Sequence, residues 1–143
     1  MEQTLKHLKL ISIGVLALTL ATILELIAGI FFGSNDTAGA PENVVRITEI
    51  FVMVISGLLL LPQAYVGAKG LLIAENPDPS AKLHIILAIV LFAISALNLL
   101  SSGVGLLTKS ETSGDSYKIF LYVLEASVYF DYIKAAKAVA KDN

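Results

Sequence analysis

Residues 11–33 read ISIGVLALTLATILELIAGIFFG. Across these 23 residues only Ser12, Thr19, Thr22 and Glu25 are polar. An apolar run of about 18 residues or more is long enough to cross the hydrocarbon of a bilayer as a helix. A secretory leader has an apolar core of only about 7–15 residues. So although Met1–Lys9 is weakly basic and Ala38-Gly39-Ala40 looks like a small-residue cleavage site, the stretch is expected to be a retained first helix. It carries one carboxylate, Glu25, at a depth where lipid offers it no partner.

Working outward, the whole 143-residue chain has the same character: 56% hydrophobic and only 15% charged, with a mean hydropathy of +0.79. Soluble domains sit near 45–50% apolar and roughly 25% charged. A net charge of −2 leaves no basic footprint for nucleic acid. The absence of Cys excludes disulfides, thiol catalysis and thiolate metal sites. The length suits one domain, residues 1–143, of the all-α class.

Punctuation divides that domain into four helices, expected at about 8–32, 43–75, 79–107 and 116–141. Gly33-Ser34-Asn35-Asp36 should stop the first. Pro41 and Glu42 should open the second, Pro because it tolerates the first turn and Glu because it suits the positive helix end. Pro62 is expected to kink that helix. Asn76-Pro77-Asp78-Pro79-Ser80 should end it, with Asp78 capping the third helix and Pro79 at its first position. Ser113 or Asp115 should cap the fourth, whose apolar part, Tyr117–Ile133, is short and whose end is rich in Ala and Lys.

Four spans put both termini on one side. That side carries Lys6, Lys9, Lys69, Lys82, Lys134, Lys137 and Lys141, against Arg46, Lys109 and Lys118 on the other. The excess predicts a multi-pass protein of the cell membrane, a bacterial inner membrane, with cytoplasmic termini. The Lys-rich tail after Ile133 should then lie near anionic headgroups. The halves also read as a tandem repeat of two helices, since Tyr65-Val-Gly-Ala-Lys-Gly echoes Tyr132-Ile-Lys-Ala-Ala-Lys, and Lys82-Leu83 echoes Lys6-His7-Leu8.

Each helix has one polar or small-residue stripe. They are Ser12, Thr19, Thr22, Glu25, Gly29 and Gly33; then Glu49, Ser56, Gln63 and Gly70; then Ala88, Ser95, Asn98, Ser102 and Gly105; then Tyr122, Glu125, Tyr129 and Tyr132. Lipid tails satisfy none of these groups, so the stripes should face one another across the bundle. The seven-residue spacing on the second helix fits a left-handed crossing. Gly29-x-x-x-Gly33 has the spacing of a close helix approach. Counted at about 1.5 Å per residue from the helix ends, Glu25, Asn98 and Glu125 fall at one level, with Ser95 and Tyr122 beside them and Glu49 shallower, near Arg46. No Lys or Arg shares that level, so at least one carboxylate should be protonated. The cluster reads either as neutral hydrogen-bonded glue or as a cation or proton site. His7 and His84 are expected at the cytoplasmic interface, solvated rather than sharing a metal. Asp131 and Lys134 form an i,i+3 pair near the inner surface. Tyr65, Tyr117 and Tyr132 fit an interfacial aromatic belt.

From Tyr65 to Lys82 the sequence YVGAKGLLIAENPDPSAK resembles small four-helix membrane proteins of Gram-positive gut bacteria, of the Firmicutes and Actinobacteria type. Those carry a Gly-x-(Lys/Arg)-Gly…Asn-Pro inner loop between helices 2 and 3. Here Gly67, Lys69, Gly70, Asn76 and Pro77 match it, and Pro79 is additional. The resemblance implies the fold and no activity. Small multidrug transporters also have four spans and a membrane-embedded Glu in the first, but their aromatic pattern around that Glu is missing here.

No nucleotide-binding, zinc-protease or nucleophile-elbow pattern is present. The expectation is therefore a non-enzymatic tetraspan scaffold or accessory subunit. Its partners would be the bilayer, a second copy or a membrane protein, and it would need no cofactor and no metal. The competing expectation is a cation- or proton-coupled carrier or channel subunit that uses Glu25 and Glu125. A lipid-directed enzyme built on Glu25, Glu125, Tyr122 and Asn98 is the weakest fit.

Overall fold

A computed structural model describes residues 1–32, 41–108 and 116–142. It is all-helical: α1 (Glu2–Phe32), α2 (Glu42–Glu75), α3 (Leu83–Leu107) and α4 (Ser116–Asp142). Gly33 to Asp36, Ala38-Gly39-Ala40, Ser113 and Asp115 lie outside the described residues. Three of the helices, Glu2–Phe31, Glu42–Glu75 and Leu83–Leu107, are long and apolar enough to cross a membrane. α4 carries Lys118, Glu125, Asp131 and Lys134 along its length and does not meet that measure by itself.

Two boundaries differ from the sequence expectation for local reasons. α1 starts at Glu2, six residues before the start expected at Leu8, because Leu5 N–H reaches Met1 C=O at 3.0 Å and Glu2 pairs with Lys6 one turn on at 2.7 Å. α3 starts at Leu83, not Pro79, and Asp78 does not cap it. The Asp78 carboxylate instead accepts hydrogen bonds from the Ser80 hydroxyl at 2.6 Å and the Ser80 N–H at 3.0 Å. Ala81 N–H closes a turn onto Asp78 C=O at 3.3 Å, with Pro79 in the turn position that its fixed φ suits. The Ser80 hydroxyl first, and then its N–H, hold the Asp78 carboxyl below its ordinary pKa. Pro41 flanks α2, its C=O receiving the Val44 and Val45 N–H groups, and α2 runs unbroken through Pro62.

α1 packs mainly on α2 and α3 mainly on α4, and the two hairpins meet through α1 against α4 and α2 against α3. The core lies at the end of the bundle that carries the termini and the α2–α3 turn. There Leu8, Val15, Val66, Ile73, Ala88, Tyr132, Ala135 and Val139 are buried. Close approach explains why. A Cβ on Gly70 would meet the Ser12 Oγ, Tyr132 Cε2 at 2.6 Å and Tyr132 Oη at 2.8 Å. One on Gly67 would meet Leu16 Cγ at 2.7 Å. These two glycines let the α1 backbone and the Tyr132 ring settle onto α2.

Toward the other end the bundle opens. None of the most apolar 18-residue window of α2 is buried. Gly29, Gly57 and Gly103 have nothing within 4 Å of where a Cβ would stand. The close approach expected at Gly29 is therefore not made. The glycines that serve as notches are those of α2.

Candidate functional site: a polar ladder along the bundle

The four stripes face inward at the termini end and come out of the interior at the other. Ser12, Thr19, Gln63, His84 and Ser95 are buried, together with Tyr129 and Tyr132. Ser56, Tyr122 and Glu125 are half-buried, whereas Glu25, Glu49 and Asn98 are exposed. So the structure does not gather the expected cluster whole. Ser95 donates to Glu125 Oε2 at 3.2 Å, and the charge of Glu25 acts on Glu125 from α1. Asn98 and Glu25 have exposed side chains on α3 and α1 and share no buried centre with them. The helices bury little at this end of the bundle, where the most apolar stretch of α2 has no buried residue, so the polar edges of α1 and α3 stay exposed there.

Several seam hydroxyls are satisfied within their own helix rather than across the bundle. Thr19 donates to Val15 C=O and Thr22 to Leu18 C=O, both at 2.9 Å. Off the seam, the exposed Ser127 does the same to Val123 C=O at 2.8 Å. A hydroxyl one turn above a helical carbonyl has this bond within reach, so a Thr or Ser stripe need not seek another helix.

The strongest cross-helix polar contact is one that sequence reasoning assigned elsewhere. Tyr132, expected in an interfacial belt, is 0% exposed, and His84, expected to be solvated, is 2% exposed. Tyr132 Oη gives its proton to Val66 C=O at 3.0 Å and lies 2.7 Å from His84 Nδ1. A phenol has one proton to give, so Nδ1 of His84 carries the hydrogen between the two rings. The rings meet edge to face, with centroids 5.8 Å apart. Three helices are tied by this one hydroxyl: α4 through Tyr132, α3 through His84 and α2 through Val66. The Val66 carbonyl is reachable because the residue one turn on is Gly70, which has no side chain in the way. A usable signal was present in the sequence: Tyr132 continues the Tyr122–Glu125–Tyr129 stripe, and Gly70 continues the stripe of Gln63. The pairing of those two stripes was not legible.

Above this tie, Gln63 stands against the Tyr129 hydroxyl. Among the described residues, Ser12 Oγ is buried and has no hydrogen-bond partner. A buried polar atom left in that state costs about 1–3 kcal/mol. Other expected features resolve simply. His7 is exposed, and no group of three or more metal-ligating side chains occurs among the described residues. Lys134 lies over the Phe130 ring, 5.5 Å from its centroid, rather than pairing with Asp131. The ion pairs of the described residues are Lys6–Glu2 and Lys9–Glu75, both solvent-exposed. Tyr65 is exposed while Tyr132 is buried, so the two members of the apparent repeat stand in different surroundings.

No protein-family model, no curated protein and no solved structure matches this chain.

Proposed function

We propose that the chain is a four-span membrane protein with cytoplasmic termini that acts as a scaffold or accessory subunit, engaging a membrane-embedded partner through the open half of its bundle. The carrying observation is the bare half of α2. From Glu42 to Leu59 only Val45, Ser56 and Gly57 are even half-buried, while Ile47, Ile50, Phe51 and Val54 are each more than half exposed. Glu25 and Asn98 are polar groups on the same open half of α1 and α3, where lipid leaves them unsatisfied and a neighbouring helix would not. The locked termini end serves as the fold's anchor, and the open end as its contact surface. The chain has no cysteine, so single-Cys variants at Ile47, Ile50, Phe51 and Val54 can be cross-linked in the native membrane without background. Adducts on one helical face are expected. Their absence at every position, or equal yields all round α2, would count against a specific partner.

A second function is supported by the Ser95–Glu125 contact: a cation- or proton-coupled carrier or channel subunit with Glu125, influenced by Glu25, as its charge-binding group. Proteoliposomes would then pass protons or cations, and Glu125→Gln would abolish the flux.

A further inference from the structure

The lysines at the termini end of the bundle are not equivalent. Those of α1 and α2 are answered by acids. Lys6 pairs with Glu2 at 2.7 Å and Lys9 with Glu75 at 3.3 Å. Lys69 acts on the Asp78 carboxylate of the α2–α3 turn. Lys82 is exposed at the start of α3. The remaining three, Lys134, Lys137 and Lys141, are exposed on α4. Among the described residues none of these three makes an ion pair, although Asp131 and Asp142 are exposed on the same helix.

Lys134, Lys137 and Lys141 stand at i, i+3 and i+7. At 3.6 residues per turn they fall within about 60° of arc and cover about 10 Å along the axis. Tyr132, Ala135, Ala136 and Val139 take the opposite side of α4 and are buried against the bundle. The helix cannot roll to hide its lysines without exposing Tyr132, whose hydroxyl is held by Val66 and His84. The three charges are therefore presented outward as one fixed edge.

Apolar surface ends at the foot of this edge. Phe130 is 51% exposed one turn before Lys134, and Lys134 Nζ lies 5.5 Å from the centroid of its ring. Beyond Ile133 the exposed positions of α4, among the described residues, are Lys134, Lys137, Lys141 and Asp142. An exposed ring below and unpaired ammonium groups above match the boundary between acyl chains and headgroups, where lysine stems lie on apolar surface and their charges reach outward. The headgroup layer adds about 5–8 Å to each face of the hydrocarbon, so an edge of about 10 Å spans it. A phosphodiester lipid with net negative charge can answer these ammonium groups. A zwitterionic lipid brings the same phosphate together with its own cation.

We infer that the Lys134–Lys137–Lys141 edge of α4 is a recognition surface for anionic phospholipid headgroups, which it gathers in preference to zwitterionic ones. The inference rests on the four-span reading above and is indifferent to the choice between scaffold and carrier.

The test uses the full chain in vesicles. The chain has no tryptophan, so Phe130→Trp places a single reporter at the foot of the edge, and Leu10→Trp places one on an exposed site of α1 at the same end. Quenching by acyl-brominated phosphatidylglycerol is compared with quenching by acyl-brominated phosphatidylcholine. Phosphatidylglycerol should be favoured at the Phe130→Trp reporter, and much less at the Leu10→Trp reporter. Each of Lys134→Gln, Lys137→Gln and Lys141→Gln should lower the preference by up to about fivefold, and Lys6→Gln with Lys9→Gln should leave it in place. Should the triple α4 variant misfold, salt replaces it: at 1 M the screening length falls to about 3 Å, and the parent's preference should vanish. Equal quenching by the two lipids at the Phe130→Trp reporter, equal preference at both reporters, or a preference that survives the folded triple variant overturns the inference. Equal quenching by the lipids, with a salt-sensitive response to soluble polyglutamate instead, overturns it in favour of an acidic protein segment. Quenching by neither lipid at either reporter refutes the four-span reading itself, and the inference with it.

Discussion

Gly70→Ala is the most informative single perturbation of the fold, because one methyl group would land on two other helices. Its Cβ would stand 2.6 Å from Tyr132 Cε2 and 2.8 Å from Tyr132 Oη, and would also meet the Ser12 Oγ. The ring cannot retreat freely, since Tyr132 is fully buried and bonded to both His84 and Val66. Overpacking of this kind costs about 1–3 kcal/mol. Each hydrogen bond that Tyr132 surrenders adds about 0.5–1.5 kcal/mol. Against this, Ala favours a helix over Gly by about 0.5–1 kcal/mol. The net is a destabilisation of about 2 kcal/mol if Tyr132 keeps one of its bonds, which is about 30-fold in the folding equilibrium. The chain has five tyrosines and no tryptophan, so near-ultraviolet circular dichroism reports on tyrosine packing during reversible unfolding in lipid micelles. The controls are Gly14→Ala, Gly57→Ala and Gly103→Ala, where a Cβ meets nothing within 4 Å. Chemically these are the same substitution, and they should leave stability unchanged or raise it by about 0.5–1 kcal/mol. Adding Ser12→Ala to Gly70→Ala removes the nearest obstacle and should restore part of the loss, a coupling of about 0.5–3 kcal/mol. A Gly70→Ala protein as stable as the controls would refute the three-helix contact on which the core is built.

Tyr132→Phe keeps the ring and removes only the hydroxyl, leaving the His84 Nδ1–H unpaired, so unfolding should become easier by about 1–3 kcal/mol, while Tyr65→Phe, at an exposed ring, should change nothing measurable. Ser80→Ala removes the main cause of the low Asp78 pKa, and NMR titration should find that carboxyl moving up toward its ordinary value. Because the folded-state pKa is depressed, the turn's contribution is present above the ordinary carboxylate value of about 3.9 and is lost as pH falls through the folded value, a loss that Ser80→Ala should reduce while the residue-80 N–H bond remains. Glu75→Gln breaks an exposed ion pair to Lys9 of 3.3 Å and should shift stability by about 1 kcal/mol or less, with the difference vanishing in high salt.

Much of the architecture was legible in residue order. The 23-residue run from Ile11 to Gly33 required a helix of membrane length, and Asn76-Pro77-Asp78-Pro79-Ser80 required a turn between α2 and α3. The stripes were legible too, because 3.6 residues per turn places Ser12 and Thr19, or Glu125, Tyr129 and Tyr132, on one face whatever lies opposite. Asp78 was misassigned because a carboxylate can serve a helix end or its own turn, and Ser80, two residues on, offers it two donors at once. Glu25 and Asn98 were expected in a shared cluster and are exposed, because distance along a helix carries no information on whether its neighbours are still in contact there.

That closure is what the tertiary structure alone decided. Periodicity fixes which edge of each helix is polar, since it depends only on the geometry of a single helix. How long four such edges stay together depends on where backbones can approach. In this chain that is at Gly67 and Gly70, where Leu16, Ser12 and Tyr132 take the space a side chain would fill. The hydroxyl of Tyr132 then joins Val66 and His84, two partners separated from it by 66 and 48 residues, a pairing that no local pattern encodes.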